Sequence, residues 1–184
     1  MKVFVIGNGG WGTALGMVLA KNGNQVTVWG PFEDELTSIR ETGENSAYLP
    51  GVKIPPEIEW TSKAEAVADA ELVIVVTPSR FYRSSLEAFK PHLPQDVLIV
   101  SATKGLDEVT HQRMSEVAKD VLGREIAILS GPSHAEEVAV VSRQLSPSLG
   151  IGRSKCSKLS SERLFVSILL RTLSASKLVA PLRT

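Results

Sequence analysis

The sequence predicts an α/β fold, a doubly wound parallel sheet with helices on both faces. Three observations predict it. Short apolar runs alternate with helical segments over residues 1–139, no hairpin turn joins two of those runs, and a glycine cluster closes the first run where a helix begins.

Taken in order, Lys2 to Ile6 is an apolar run stopped by glycine and reads as a buried strand. Thr13 to Asn22 carries Ala14, Leu15, Val18 and Leu19 on one side, as a helix would, with Gly23 as its stop. Gln25 to Trp29 alternates with β-branched residues and predicts a second strand; Glu33 to Arg40 suits a short helix. Glycines and prolines (Pro50, Pro55, Pro56) make Gly43 to Glu59 a loop. Ser62 followed by Glu65 has the spacing of a capping box and opens a helix through Asp69. Leu72 to Val76 is a continuous apolar strand, and Arg80 to Lys90 a helix ending before Pro91. Val97 to Ser101 is a strand, Val109 to Leu122 a longer helix ending at Gly123, and Ile126 to Leu129 a last strand.

Composition excludes several classes. Hydrophobic residues make up 43% and charged residues 22% of the 184-residue chain, ordinary values for a globular protein. No apolar run approaches the ~18 residues that span a bilayer, and the glycine cluster comes too early for a signal-peptide apolar region. Cys156 is the sole cysteine, which excludes an internal disulfide and fits a reducing cytoplasm. With three scattered histidines, no metal site is expected. The balanced charge hides a split: residues 1–139 hold 12 Lys/Arg against 19 Asp/Glu, whereas residues 140–184 hold 8 Lys/Arg and one acid, Glu162.

The strongest motif is Gly7-Asn8-Gly9-Gly10-Trp11-Gly12, a G-x-G-x-x-G between a strand and a helix at the start of a β-α-β unit. Gly7 makes the tight turn, Gly9 lets the backbone approach a pyrophosphate, and Gly12 lets helix and strand pack closely, so a Rossmann-type dinucleotide site is expected. The pyrophosphate would meet unpaired N–H groups at the helix N-terminus. The second strand ends in Trp29-Gly30-Pro31-Phe32, without the acid that would bond the ribose 2′-hydroxyl of NAD or the arginine that would suit the 2′-phosphate of NADP. Glu33 and Asp34 come slightly late, and the cofactor stays open between NAD and NADP. Thr77-Pro78-Ser79, Ser101-Ala102-Thr103-Lys104-Gly105 and Ser130-Gly131-Pro132-Ser133-His134 each follow a strand, at the carboxyl edge where ligands of such sheets collect. Lys104 is placed either to hold an anionic substrate or polarise a carbonyl, or as a solvated surface lysine. Ser133 beside His134 is better read as a helix N-cap than as a nucleophile–base pair.

Together these motifs resemble the bacterial NAD(P)-dependent glycerol-3-phosphate dehydrogenase family. The resemblance rests on Gly7 to Ala14, Val26-x-Val28-Trp29, Tyr48-Leu49-Pro50-Gly51, Thr77-Pro78-Ser79, Thr103-Lys104-Gly105 and Gly131-Pro132-Ser133-His134-Ala135-Glu136, in the family's order over residues 1–139. It implies interconversion of dihydroxyacetone phosphate and sn-glycerol 3-phosphate with NAD(P)H, in glycerophospholipid synthesis in the cytoplasm. It implies cofactor contacts at Gly7, Gly9, Trp11, Gly12, Lys104 and Ala135, and substrate contacts at Lys104, Gly131 and Ser133. A phosphorylated small-molecule substrate follows, with room for a homodimer in the full-length family and no nucleic-acid or membrane partner. The family usually has an arginine near the end of the second strand, where this chain has Gly30 and Pro31.

The resemblance divides the chain into a dinucleotide-binding domain, 1–139, and a non-family tail, 140–184. The family's helical substrate domain, with its proton-donating lysine in a Gly-Ala-Leu-Lys-Asn motif, is absent, so no catalytic residue is assigned and the chain is expected to be poorly active. The tail shows no sustained period, although Leu164 to Leu173 is locally apolar. Moving its back-translated frame by one base permits Arg-Gly-Val-Pro-Thr-Ala after Ala139 and, from Leu173 onward, Val-Gly-Val-Glu-Ala-Gly-Gly-Ala-Leu-Lys-Asn. A shifted reading frame is therefore expected, with a basic flexible tail as the alternative. Two other functions compete: a non-catalytic dinucleotide-binding module, and another Rossmann dehydrogenase with a helical C-terminal domain, such as one acting on ketopantoate or a sugar acid. Nucleic-acid binding by the tail lacks interleaved aromatics, Phe165 being the only one there.

Overall fold

Apolar residues at both faces draw Lys2–Ile6 into the middle of the sheet as β1, with Val3 to Ile6 all buried. A computed structural model describes residues 1–129. Helix α1 (Gly10–Lys21) returns the chain to β2 (Gln25–Trp29), whose Val26 and Val28 are buried while Gln25 stays exposed. Helix α2 (Glu33–Thr42) ends at Gly43, whose φ of 65° supplies the left-handed C-cap that a side chain would disfavour. A long connection then leads to β3 (Glu59–Thr61), a 3-10 helix (Ala64–Asp69) and β4 (Leu72–Val75), which is buried on both faces. Helix α3 (Ser79–Phe89), a 3-10 turn (Lys90–His92), β5 (Leu98–Ser101), α4 (Met114–Leu122) and β6 (Ala127–Ile128) complete the described chain.

The six strands lie in the order β3-β2-β1-β4-β5-β6. Every pairing is parallel. The chain winds outward from β1 to β3, then crosses back to place β4 on the other side of β1. That reversal opens a crevice beyond the carboxyl ends of β1 and β4, where the two halves diverge.

On one face of the sheet α1 packs so closely that a Cβ at Gly16 would lie 3.2 Å from Val28 Cγ2. On the other, Phe4, Ile6, Val73, Val75 and Ile99 meet Tyr82, Leu86 and Phe89 of α3 and Val117 and Val121 of α4. Phe89 anchors this layer, edge-on to Phe4 at 5.8 Å and to Trp29 at 5.0 Å between ring centroids. Each such fully buried side chain contributes about 1.5–3 kcal/mol of transfer free energy. Among the described residues no helix is long and apolar enough to cross a membrane.

Several sequence expectations need correction. Helix α1 begins at Gly10, three residues before Thr13, because the glycine run already takes helical geometry. The stretch expected as loop through Glu59 ends in a strand: Glu59–Thr61 pairs with Thr27–Trp29, too short to show an alternating pattern. Ser62 and Glu65 make no capping box. The Ser62 hydroxyl donates to Glu33 Oε2 at 2.6 Å, and the segment after it is a 3-10 helix starting at Ala64. Helix α4 starts at Met114 rather than Val109, since Asp107 Oδ1 accepts from the Thr110 N–H at 2.7 Å and hydroxyl at 2.8 Å and closes a turn instead. The last strand spans only Ala127–Ile128 of the expected Ile126 to Leu129.

Candidate dinucleotide-binding site

The glycine loop lies where β1 meets the crevice, and each of its glycines has a different reason to be there. Gly7 has a φ of 123°, and a Cβ on it would lie 2.9 Å from the Val76 carbonyl oxygen. Its N–H donates to the Trp29 carbonyl at 3.0 Å, tying the loop to β2. A Cβ on Gly12 would lie 2.0 Å from the Gly7 carbonyl oxygen, so only glycine lets α1 begin this close to β1. Gly9 is different. Its φ of −63° and ψ of 174° suit any residue, and among the described residues no atom beyond its chain neighbours lies within 4 Å of where its Cβ would be. The fold does not require glycine there, and a group approaching from outside is what its missing side chain would admit.

Helix α1 has no side-chain N-cap; Gly9 is its N-cap residue, and the Gly9 carbonyl accepts from the Thr13 N–H at 2.9 Å. The first-turn N–H groups are thus directed into the crevice with the positive end of the helix dipole, a setting suited to an anionic phosphate.

A polar clasp holds this loop from behind. Asn45, buried in the connection after α2, donates from Nδ2 to the Asn8 carbonyl at 2.7 Å and to Thr13 Oγ1 at 2.8 Å. The Thr13 hydroxyl in turn donates to the Asn8 carbonyl at 3.2 Å. Asn45 is a site residue that sequence reading missed; its only signal is an asparagine in a glycine-rich connection.

At the tip of β2 the Asn8 side chain is buried and donates from Nδ2 to Glu35 Oε2 at 2.9 Å. It also crowds Gly30: a Cβ there would lie 2.7 Å from Asn8 Cγ and 2.9 Å from Leu36 Cδ2. Glu33 faces elsewhere, accepting from Ser62 and pairing with Arg40; the Ser62 hydrogen bond, with Arg40 and Lys63 assisting, holds its carboxyl below the usual range.

Across the crevice, Lys104 in the loop after β5 has its Nζ 6.0 Å from the Trp11 ring centroid, at the limit of a cation–π contact. The ends of β1 and β5 therefore meet over β4. The loop is shaped by Thr103, which donates to the Val75 carbonyl at 3.3 Å, and by Gly105, whose φ of 99° lets the chain pass Ser79. Beneath it the hydroxyls of Thr77, Ser101 and Tyr82 are buried without a hydrogen-bond partner among the described residues. Burial pushes the Tyr82 phenol above its ordinary pKa.

Of the expected site residues, Gly7, Gly9, Trp11 and Gly12 belong to the glycine loop and the start of α1, and Lys104 to the loop after β5, at the carboxyl edge of the sheet. Gly131, Ser133 and Ala135 lie outside the described residues.

The family model described as the N-terminus of NAD-dependent glycerol-3-phosphate dehydrogenase matches residues 2–144. The chain belongs to this family. A glycerol-3-phosphate dehydrogenase [NAD(P)+] of Syntrophomonas wolfei is 41% identical over 143 residues, covering 75% of this chain and 42% of the relative. One from Enterococcus faecalis is 42% identical over 144 residues, with coverage of 76% and 42%. The crystal structure of a glycerol-3-phosphate dehydrogenase from Coxiella burnetii superposes with a TM-score of 0.71 at 31% identity, over 76% of this chain and 43% of that one. The chain thus spans about two-fifths of the length of the curated glycerol-3-phosphate dehydrogenases it matches.

Proposed function

We propose that residues 1–139 form the dinucleotide-binding part of an NAD(P)-dependent glycerol-3-phosphate dehydrogenase, which interconverts dihydroxyacetone phosphate and sn-glycerol 3-phosphate in cytoplasmic glycerophospholipid synthesis. The observation that carries this reading is Gly9: a glycine with no steric reason among the described residues, at a helix N-terminus without a side-chain cap there, on the switch point of the sheet.

In this reading the pyrophosphate lies over Gly9 to Trp11, held by the first-turn N–H groups of α1, while Gly7 makes the tight turn and Gly12 keeps the helix close enough for them to reach it. When bound, the nicotinamide supplies or accepts the hydride. Lys104, with Gly131 and Ser133, grips the phosphorylated substrate; Lys104 and Ala135 also border the cofactor. Held over Trp11, the Lys104 ammonium offsets negative charge developing on a substrate oxygen.

By the family resemblance, the proton for the forming alkoxide comes from a lysine in a Gly-Ala-Leu-Lys-Asn motif that lies outside residues 1–139, and a general acid contributes about 10²–10⁴ in rate. Residues 140–184 are read as translated out of the family's frame. Support comes from similarity that stops near residue 144 while the relatives continue. Calorimetric titration of the purified chain with NADH and NADPH tests the binding reading, which fails if neither binds. One base restored near codon 139 should recover a full-length family sequence, and its failure to do so would retire the shifted frame.

A further inference from the structure

We infer that Glu35 is the specificity-determining acid of the adenosine end of the crevice, and that it selects NAD(H) over NADP(H). The inference rests on the dinucleotide reading above. In sheets of this topology an acid at the tip of the second strand accepts from the ribose 2′-hydroxyl, and a basic residue there accommodates a 2′-phosphate. The tip of β2 here ends in Gly30-Pro31-Phe32 and has neither. The fold supplies the acid from the first turn of α2 instead, since the Asn8 amide draws the Glu35 carboxylate to the glycine loop at 2.9 Å.

Two further features of the described residues oppose a cation at this place. A Cβ on Gly30 would lie 2.7 Å from Asn8 Cγ and 2.9 Å from Leu36 Cδ2, and both neighbours are buried, so position 30 cannot carry an arginine while Asn8 stays. Among the described residues, Arg40 pairs directly with Glu33, and Lys63 acts on it through space. The N-terminal end of α2 would otherwise welcome a phosphate, but Glu33, Asp34 and Glu35 occupy its first turn. A 2′-phosphate would bring about two negative charges against a carboxylate at close range, whereas a ribose hydroxyl can donate to it.

The test is calorimetric titration of the full chain with NADH, NADPH, ADP-ribose and 2′-phospho-ADP-ribose, the last two reading the adenosine end without any turnover. NADH and ADP-ribose should each bind at least about tenfold more tightly than the 2′-phosphorylated partner. Glu35→Gln, which keeps an acceptor for Asn8, should narrow that ratio to about threefold or less, mainly by tightening the phosphorylated ligands. Should Glu35→Gln fail to fold, raising salt from about 0.05 to 0.5 M should narrow the wild-type ratio in the same direction. Equal or tighter binding of the 2′-phosphorylated ligands overturns the inference but leaves the dinucleotide reading standing. An unchanged ratio in a folded Glu35→Gln variant removes Glu35 from the role. Binding of none of the four would overturn the dinucleotide reading itself, and this inference with it.

Discussion

Gly12→Ala and Gly9→Val should separate stability from binding within one loop. The added methyl at Gly12 would meet the Gly7 carbonyl oxygen at 2.0 Å, more than 1 Å inside van der Waals contact, and the atom it meets is backbone. Side-chain rotation cannot relieve it; α1 must move away from β1. Overpacking costs about 1–3 kcal/mol where side chains can yield, so about 3 kcal/mol is a floor here. Against this stands the ~1 kcal/mol by which alanine outranks glycine in a helix, leaving a net loss of about 2 kcal/mol or more. For a chain of this size that lowers Tm by about 4–8 °C. The Cβ of Gly9→Val meets no atom within 4 Å beyond its chain neighbours among the described residues, and the dihedral angles are compatible, so its stability should stay within about 1 kcal/mol of the parent. Its affinity for NADH, however, should fall by at least about tenfold, because the side chain fills the space the pyrophosphate would enter. Thermal unfolding followed by circular dichroism, paired with calorimetric titration, reads both effects. A Gly12→Ala protein with unchanged Tm would refute the close-packing argument, and a Gly9→Val protein with unchanged affinity would refute the site.

Asn45→Ala should destabilise the fold by about 2 kcal/mol in urea titrations, since it strips two hydrogen bonds from buried partners, and an unchanged midpoint would show the clasp to be inert. Tyr82→Phe should be neutral or stabilising by up to about 1 kcal/mol, because the hydroxyl it removes is buried without a partner among the described residues; a loss beyond that would reveal a bond to that hydroxyl. With its pKa raised by burial, Tyr82 should keep its proton above pH ~10 while the unfolded chain ionises, so stability should decline as pH rises past that point, as chemical denaturation in alkaline buffers would show. Asp107 has the opposite sign: hydrogen bonds from Thr110, backbone first, hold its carboxyl below the usual range. Its contribution is present above the unfolded value of about 3.9 and is lost as pH falls through the folded one. Amide protection of Val109 and Thr110 should drop selectively over that acid range, and protection factors that stay flat would contradict it.

What could be read from the sequence divides by the range of the interaction that decides it. Lys2–Ile6 and Gln25–Trp29 have the bounds their apolar patterns predict, because burial of consecutive side chains is written in consecutive residues. The glycine motif was legible for the same reason: strand, turn and helix are adjacent in the chain. Errors arose where a distant partner intervened. The Ser62 hydroxyl has the spacing of a helix cap but is claimed by Glu33, and Asn45 reaches Asn8 from a connection that reads only as loop. Glu35 is similar. It lies beyond the expected position of a ribose-binding acid, and only the first turn of α2 together with the Asn8 amide brings it back to the strand tip. The start of α4 moved because one carboxylate, Asp107, accepts locally what helix propagation would otherwise have used.

The clasp of Asn8, Thr13 and Asn45 has a consequence for the thermodynamics of ligand capture. A glycine-rich segment left to itself samples many conformers, and a ligand that ordered it would forfeit about 1–2 kcal/mol per residue fixed. Here that ordering accompanies folding, through an amide that arrives from 37 residues away. A phosphate entering over Gly9 meets a preorganised surface, so association should proceed without a slow conformational phase and with little conformational entropy lost from the loop.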